Sequence, residues 1–80
     1  MNMDNSQPVD GDLVVVRRSN ETPAFGVLQM PTKVQFGAST RDEAVGLARS
    51  FARSHAVDLW YRETDGYELL ERYRPAAAGV

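Results

Sequence analysis

Apolar residues fall into short blocks of strand character, interrupted once by a longer stretch of helical period. Leu13-Val14-Val15-Val16 is continuous and β-branched, which predicts a strand. Its unbroken run implies apolar cover on both faces. Ser19-Asn20-Glu21-Thr22-Pro23 is turn chemistry. Ala24 to Met30 predicts a second strand, in which Gly26 marks a bulge or a close backbone approach. Met30-Pro31-Thr32 breaks it. Lys33 to Phe36 then alternates polar and apolar, predicting a short third strand with Val34 and Phe36 on one face.

Thr40-Arg41-Asp42-Glu43 has capping-box spacing. The Thr40 hydroxyl can accept from the Glu43 N–H, and the Glu43 carboxylate can reach back to the Thr40 N–H. Asp42 and Glu43 also suit the positive end of a helix dipole. The helix is expected from Arg41 to about His55. Ala44, Leu47, Ala48, Phe51, Ala52 and His55 share a face, and Arg41, Asp42, Arg49, Ser50 and Arg53 fall largely on the other. Small alanines allow close approach to a sheet, with Leu47 and Phe51 as the expected anchors.

Val57 to Glu63 predicts a fourth strand, with Val57, Leu59 and Tyr61 facing one way and Asp58, Trp60 and Arg62 the other. Thr64-Asp65-Gly66 is a hairpin signal. Tyr67 to Tyr73 is expected to pair back as a fifth strand. A short helix is the alternative there, because Glu68-Leu69-Leu70-Glu71-Arg72 has good helix propensity. The fold class expected is α+β: an antiparallel sheet of four to five strands with one helix packed on one face, in β-β-β-α-β-β order. Residues 1–11 read as a flexible polar leader, 12–74 as the single domain, and 75–80 as a flexible tail.

Composition adds mainly exclusions. Eighty residues suffice for one domain, and 42% apolar with 25% charged residues is ordinary for a globular chain. The absence of cysteine removes disulfides, thiolate metal sites and cysteine nucleophiles, and fits a cytoplasmic setting. The formal net charge is −2, with no clustered basic field. No apolar run approaches the roughly 20 residues of a membrane span.

The helix and the segment after it resemble a family of small bacterial domains of unknown function. Those domains have a strand-rich start, a helix of T-x-x-E-A-x-x-x-A-x-x-x-A type and a final hairpin around Asp-Gly. The matching residues are Thr40, Glu43, Ala44, Ala48 and Ala52, then Asp65 and Gly66. Phe25-Gly26-Val27 departs from the pattern, because such domains often carry a tryptophan there. The likeness implies the fold and no activity.

Catalytic and metal chemistry find little support. His55 is the single histidine, and a helix-end residue stabilised by the dipole is its simplest reading. As a general base it would need an orienting partner such as Asp58. A small-ligand or enzymatic site would need His55, Asp58 and Tyr61 to converge. Glu63 with Asp65, or Glu68 with Glu71, lack calcium-loop spacing. Ser39, Ser50 and Ser54 lack a nucleophile-elbow setting. No cofactor and no metal are expected, and the chain is not expected to be an enzyme.

Trp60 carries the leading functional reading. If Val57, Leu59 and Tyr61 face the helix, Trp60 and Arg62 lie on the opposite sheet face, together with Val14 and Val16 or with Leu13 and Val15; the candidate docking set is Trp60, Arg62, Val14, Val16 and Arg18. Tryptophan and arginine are enriched in binding hot spots. That predicts an interaction module whose open sheet face takes a protein partner or a second copy. The alternative is an aromatic–basic platform for nucleic acid built from Arg17, Arg18, Lys33, Trp60, Arg62 and Arg72.

Overall fold

The computed structural model describes residues 7–64 and 66–75. The elements run β1 (Leu13–Arg17), β2 (Phe25–Gln29), β3 (Lys33–Ala38), α1 (Arg41–His55), β4 (Leu59–Glu63) and β5 (Gly66–Glu71). This is the α+β class and the element order expected from the pattern. The last segment is a strand, so the helical alternative over 67–73 does not hold. Pairing with β4 decides it: Trp60 opposes Leu69 and Arg62 opposes Tyr67. Tertiary pairing overrides a helix propensity worth only tenths of a kcal/mol per residue.

The sheet order is β3-β2-β1-β4-β5. Three of the four strand pairings are antiparallel as expected, but β1 and β4 pair in parallel, so the sheet is mixed. The connection explains this. β1, β2 and β3 form a meander, which leaves β3 parallel to β1. The helix then carries the chain back along the sheet, so β4 enters beside β1 in the same direction. The most apolar strand is thereby central, with Leu13 beside Leu59 and Val14 beside Trp60.

One face of the sheet packs on α1. Leu13, Val15, Val27, Ala38, Val57 and Leu59 form a buried cluster with Ala44, Ala48 and Ala52 of the helix. The alanines bring the helix axis close. Phe51 packs at the side, edge-on to Phe36 with ring centroids 5.8 Å apart. Leu47, expected as an anchor, is instead 38% exposed. The alanine stripe sets the helix rotation and leaves Leu47 at its margin.

Both edge strands are irregular. In β3 the register shifts so that Phe36 opposes Val27 while Val34 opposes Leu28. Gln35 is the extra residue, and a one-residue shift reverses side-chain facing. Val34 therefore lies on the opposite face from Phe36, not the same one as expected, and is exposed. A second shift at Leu59/Trp60 leaves Leu70 as the extra residue in β5. Such bulges blunt sheet edges against pairing with other chains.

The helix begins as its cap predicts: the Glu43 N–H donates to Thr40 Oγ1 at 3.1 Å. The reciprocal bond is displaced by one residue, since Glu43 Oε1 accepts from the Ser39 N–H at 3.2 Å. The helix ends at Ala56, which takes a left-handed conformation with φ 54° and ψ 46°. The Val57 N–H then donates back to the Ala52 carbonyl, so β4 starts at Leu59 and not at Val57. A left-handed conformation costs an L-residue roughly 1–2 kcal/mol, which glycine escapes at some loss of chain entropy. Ala56→Gly should therefore raise stability by about 0.5–1 kcal/mol in urea denaturation. An unchanged or lower midpoint would count against this account of the helix end.

Candidate docking face

The opposite face of the sheet carries a second apolar cluster. Val14, Val16 and Trp60 are its buried centre, and Leu28, Met30, Tyr67 and Leu69 pack around them half-buried. Strand alternation places them there. Leu59 and Tyr61 face the helix, so Trp60 points away, beside Val14 of the parallel neighbour. Tyr67 meets the indole edge-on with centroids 6.4 Å apart. Among the described residues, no helix or strand lies over this face.

The five residues predicted to dock a partner, Val14, Val16, Arg18, Trp60 and Arg62, are thus brought to one side. Their exposure differs from the expectation. Trp60 is only 4% exposed, and Val14 and Val16 are buried. Arg18 lies across Gly26, where an added Cβ would stand 3.1 Å from Arg18 Cδ, and pairs with Glu21. The neighbour at Gly26 is thus a side chain, not the backbone approach or bulge expected there; the register shift falls at Val27/Leu28. The apolar surface offered to solvent is the rim: Leu28, Met30, Tyr67 and Leu69, with Val34 60% exposed beside Leu28.

The six residues of the nucleic-acid alternative do not share a surface. Arg17 opposes Phe25 and Lys33 opposes Gln29, which places both on the helix side. Arg18, Trp60 and Arg62 lie on the other side. Arg72 follows β5, with its Nη1 4.0 Å from Asp58 Oδ2. The buried indole offers no free ring face for a base.

Asp12 holds Trp60 in place, and sequence reasoning missed it. This carboxylate is 1% exposed and accepts from four donors. Oδ2 takes the indole Nε1–H and the Val9 N–H, each at 3.1 Å. Oδ1 takes the Asp58 N–H at 3.1 Å and the guanidinium of Arg74. A carboxylate has about four acceptor positions, and all are used here. The charge is matched by one arginine.

A turn builds the position: the Asp12 N–H donates to the Val9 carbonyl at 2.9 Å, and Gly11 has φ +95°. A third turn residue of positive φ is what a type II turn demands, and glycine suits it. Asp10-Gly11 was therefore a legible turn signal. The fold reaches back to Val9, inside the expected leader 1–11. Residues 1–6 of that leader and 76–80 of the expected tail lie outside the described residues.

Asp58 is the second buried carboxylate. Its Oδ1 accepts the Tyr73 N–H at 3.0 Å and the Arg74 N–H at 2.9 Å. It is turned toward the chain following β5. His55 is exposed and stacked on Phe51 at 4.0 Å, with Nδ1 3.0 Å from the Phe51 carbonyl. A carbonyl can only accept, so the ring donates from Nδ1. The structure does not join His55, Asp58 and Tyr61 in one cleft; Tyr61 instead lies under the Arg41 guanidinium, 4.5 Å from the ring centroid. Among the described residues, no three His, Cys, Asp or Glu side chains converge on a metal-sized site. Asp65 and the side chain of Glu63 lie outside what is described. Among the described residues, no helix is long and apolar enough to cross a membrane.

Among the described residues, fold and site together define an α+β domain with one helix and a mixed sheet that is apolar on both faces. No protein-family model matches the chain, nor does any curated protein or solved structure.

Trp60→Phe removes the indole donor from Asp12 and leaves a small void. A hydrogen bond to a charged acceptor contributes about 1.5–3 kcal/mol. The variant should lose about 2–4 kcal/mol of unfolding free energy once the void is added. A loss below about 1 kcal/mol would show that the bond does little.

Proposed function

We propose that the chain is a small interaction module that docks through the sheet face opposite α1. The observation that carries this reading is the second apolar cluster with no described helix or strand over it. A sheet with one solvated face ordinarily alternates apolar and polar residues, and β1 does not. The half-buried residues around that buried centre, with exposed Val34, supply the apolar rim that a partner would cover.

A second copy of the chain is the simplest partner. Two such faces are self-complementary about a twofold axis and would pack as sheet on sheet. The division of the basic residues between both faces, and burial of the indole, favour a protein partner over nucleic acid. The cysteine-free composition suits a cytoplasmic setting.

Sedimentation velocity across a wide concentration range tests the reading. The wild type should pass from monomer to dimer. Leu28→Asp with Val34→Asp should keep the chain monomeric, with an unchanged circular dichroism spectrum. Leu47→Asp, on the helix side, should dimerise as the wild type does. A wild type that stays monomeric at every concentration would overturn self-association.

A further inference from the structure

On the face away from α1, one apolar residue from each strand stands at the same level. Val34 opposes Leu28, Leu28 opposes Val14, Val14 lies beside Trp60, and Trp60 opposes Leu69. Neighbouring strands are about 4.8 Å apart, so this row runs roughly 20 Å across the sheet, at right angles to the strands.

Charge differs on the two sides of the row. Toward the end of β1 lie Arg18, over Gly26 and paired with Glu21, and Arg62, which is exposed and opposes Tyr67. Toward the start of β1, Arg74 is matched by Asp12 and Arg72 approaches Asp58. Asp10 is exposed in the turn at this end. The turn is tied to the sheet by the Gly11 N–H, which donates to the Met30 carbonyl at 3.1 Å. Among the described residues, neither Arg62 nor Asp10 has a salt-bridge partner. The face therefore has a basic end and an acidic end, with the apolar row between them.

Two twofold arrangements can lay one such face on another. An axis parallel to the strands sets each end over the same end of its copy, so the Arg18 and Arg62 side chains of both subunits gather. Like charges brought together oppose docking. An axis along the row exchanges the ends, and basic meets acidic at both.

We propose that two copies dock with the twofold axis along the row Val34, Leu28, Val14, Trp60 and Leu69. This orientation rests on the reading of the face as a self-docking surface. Each row residue then meets its own copy across the axis, and the strands of the two sheets run in opposite directions. Arg62 of each subunit faces the Asp10 end of the other. The row is complementary to itself without any shift of register.

The chain has no cysteine, so single introduced cysteines report the orientation. Val34→Cys stands at one end of the row, where the native side chain is 60% exposed. A short bis-maleimide should couple this variant to itself. In the strand-parallel arrangement Val34 would meet Leu69, and coupling would require Val34→Cys mixed with Leu69→Cys. Leu47→Cys, on the helix side, should stay uncoupled. By sedimentation velocity, Asp10→Arg and Arg62→Asp should each weaken the dimer about tenfold, because symmetry makes the contact twice. The double variant should return to within about threefold of the wild type. Coupling confined to the mixed sample, single reversals without effect, or a double variant no tighter than the singles would overturn this orientation while a dimeric wild type keeps the docking reading. A wild type that is monomeric at every concentration removes both.

Discussion

The Asp12 carboxylate is the constraint from which the rest of the arrangement follows. A lone buried charge is destabilising by several kcal/mol. Here four donors converge on it, one from its own turn at Val9 and three from distant sequence: the entry to β4 at Asp58, the indole of Trp60, and Arg74 beyond β5. Each donor satisfies an acceptor position that would otherwise be orphaned. The carboxylate thus joins both ends of the described chain to the central parallel pair β1–β4. Asp58 doubles the tie by receiving the backbone of Tyr73 and Arg74.

That tie sits at the start of β1 and holds the indole on the face away from the helix. The sheet then separates two apolar layers. One is sealed by alanines and α1. The other is centred on a tryptophan held at its nitrogen, with large half-buried residues around it. A tryptophan with its N–H satisfied inside a cluster is an anchor for neighbouring side chains. The consequence for function is that the centre of this face supports, while the rim from Val34 to Leu69 is what another surface would touch.

Much of the fold was legible because local signals agreed with one another. Thr40 and Glu43 marked the helix start, the alanine period marked its buried stripe, and alternation over Leu59, Trp60 and Tyr61 placed the indole correctly. What was not legible depended on contacts between distant segments. The bulge at Gln35, which turns Val34 outward, has no local signature in Lys33 to Phe36. The parallel β1–β4 pair is a property of the crossover, not of either strand. Propensity could not separate helix from strand over Glu68 to Arg72, and only the register with β4 did. The candidate face was found through Trp60. Its burial was missed because Asp12 and Arg74 read as ordinary charged residues near the chain ends, 62 positions apart.

Equilibrium urea denaturation of Asp12→Asn tests the central claim most directly. The amide is nearly isosteric, but its NH₂ group faces donors that need an acceptor, and Arg74 loses its counter-charge. The account predicts a loss of about 3–5 kcal/mol, with the tryptophan emission of the variant shifted to the red as the indole is released. A variant within about 1 kcal/mol of the wild type, with unchanged emission, would contradict it.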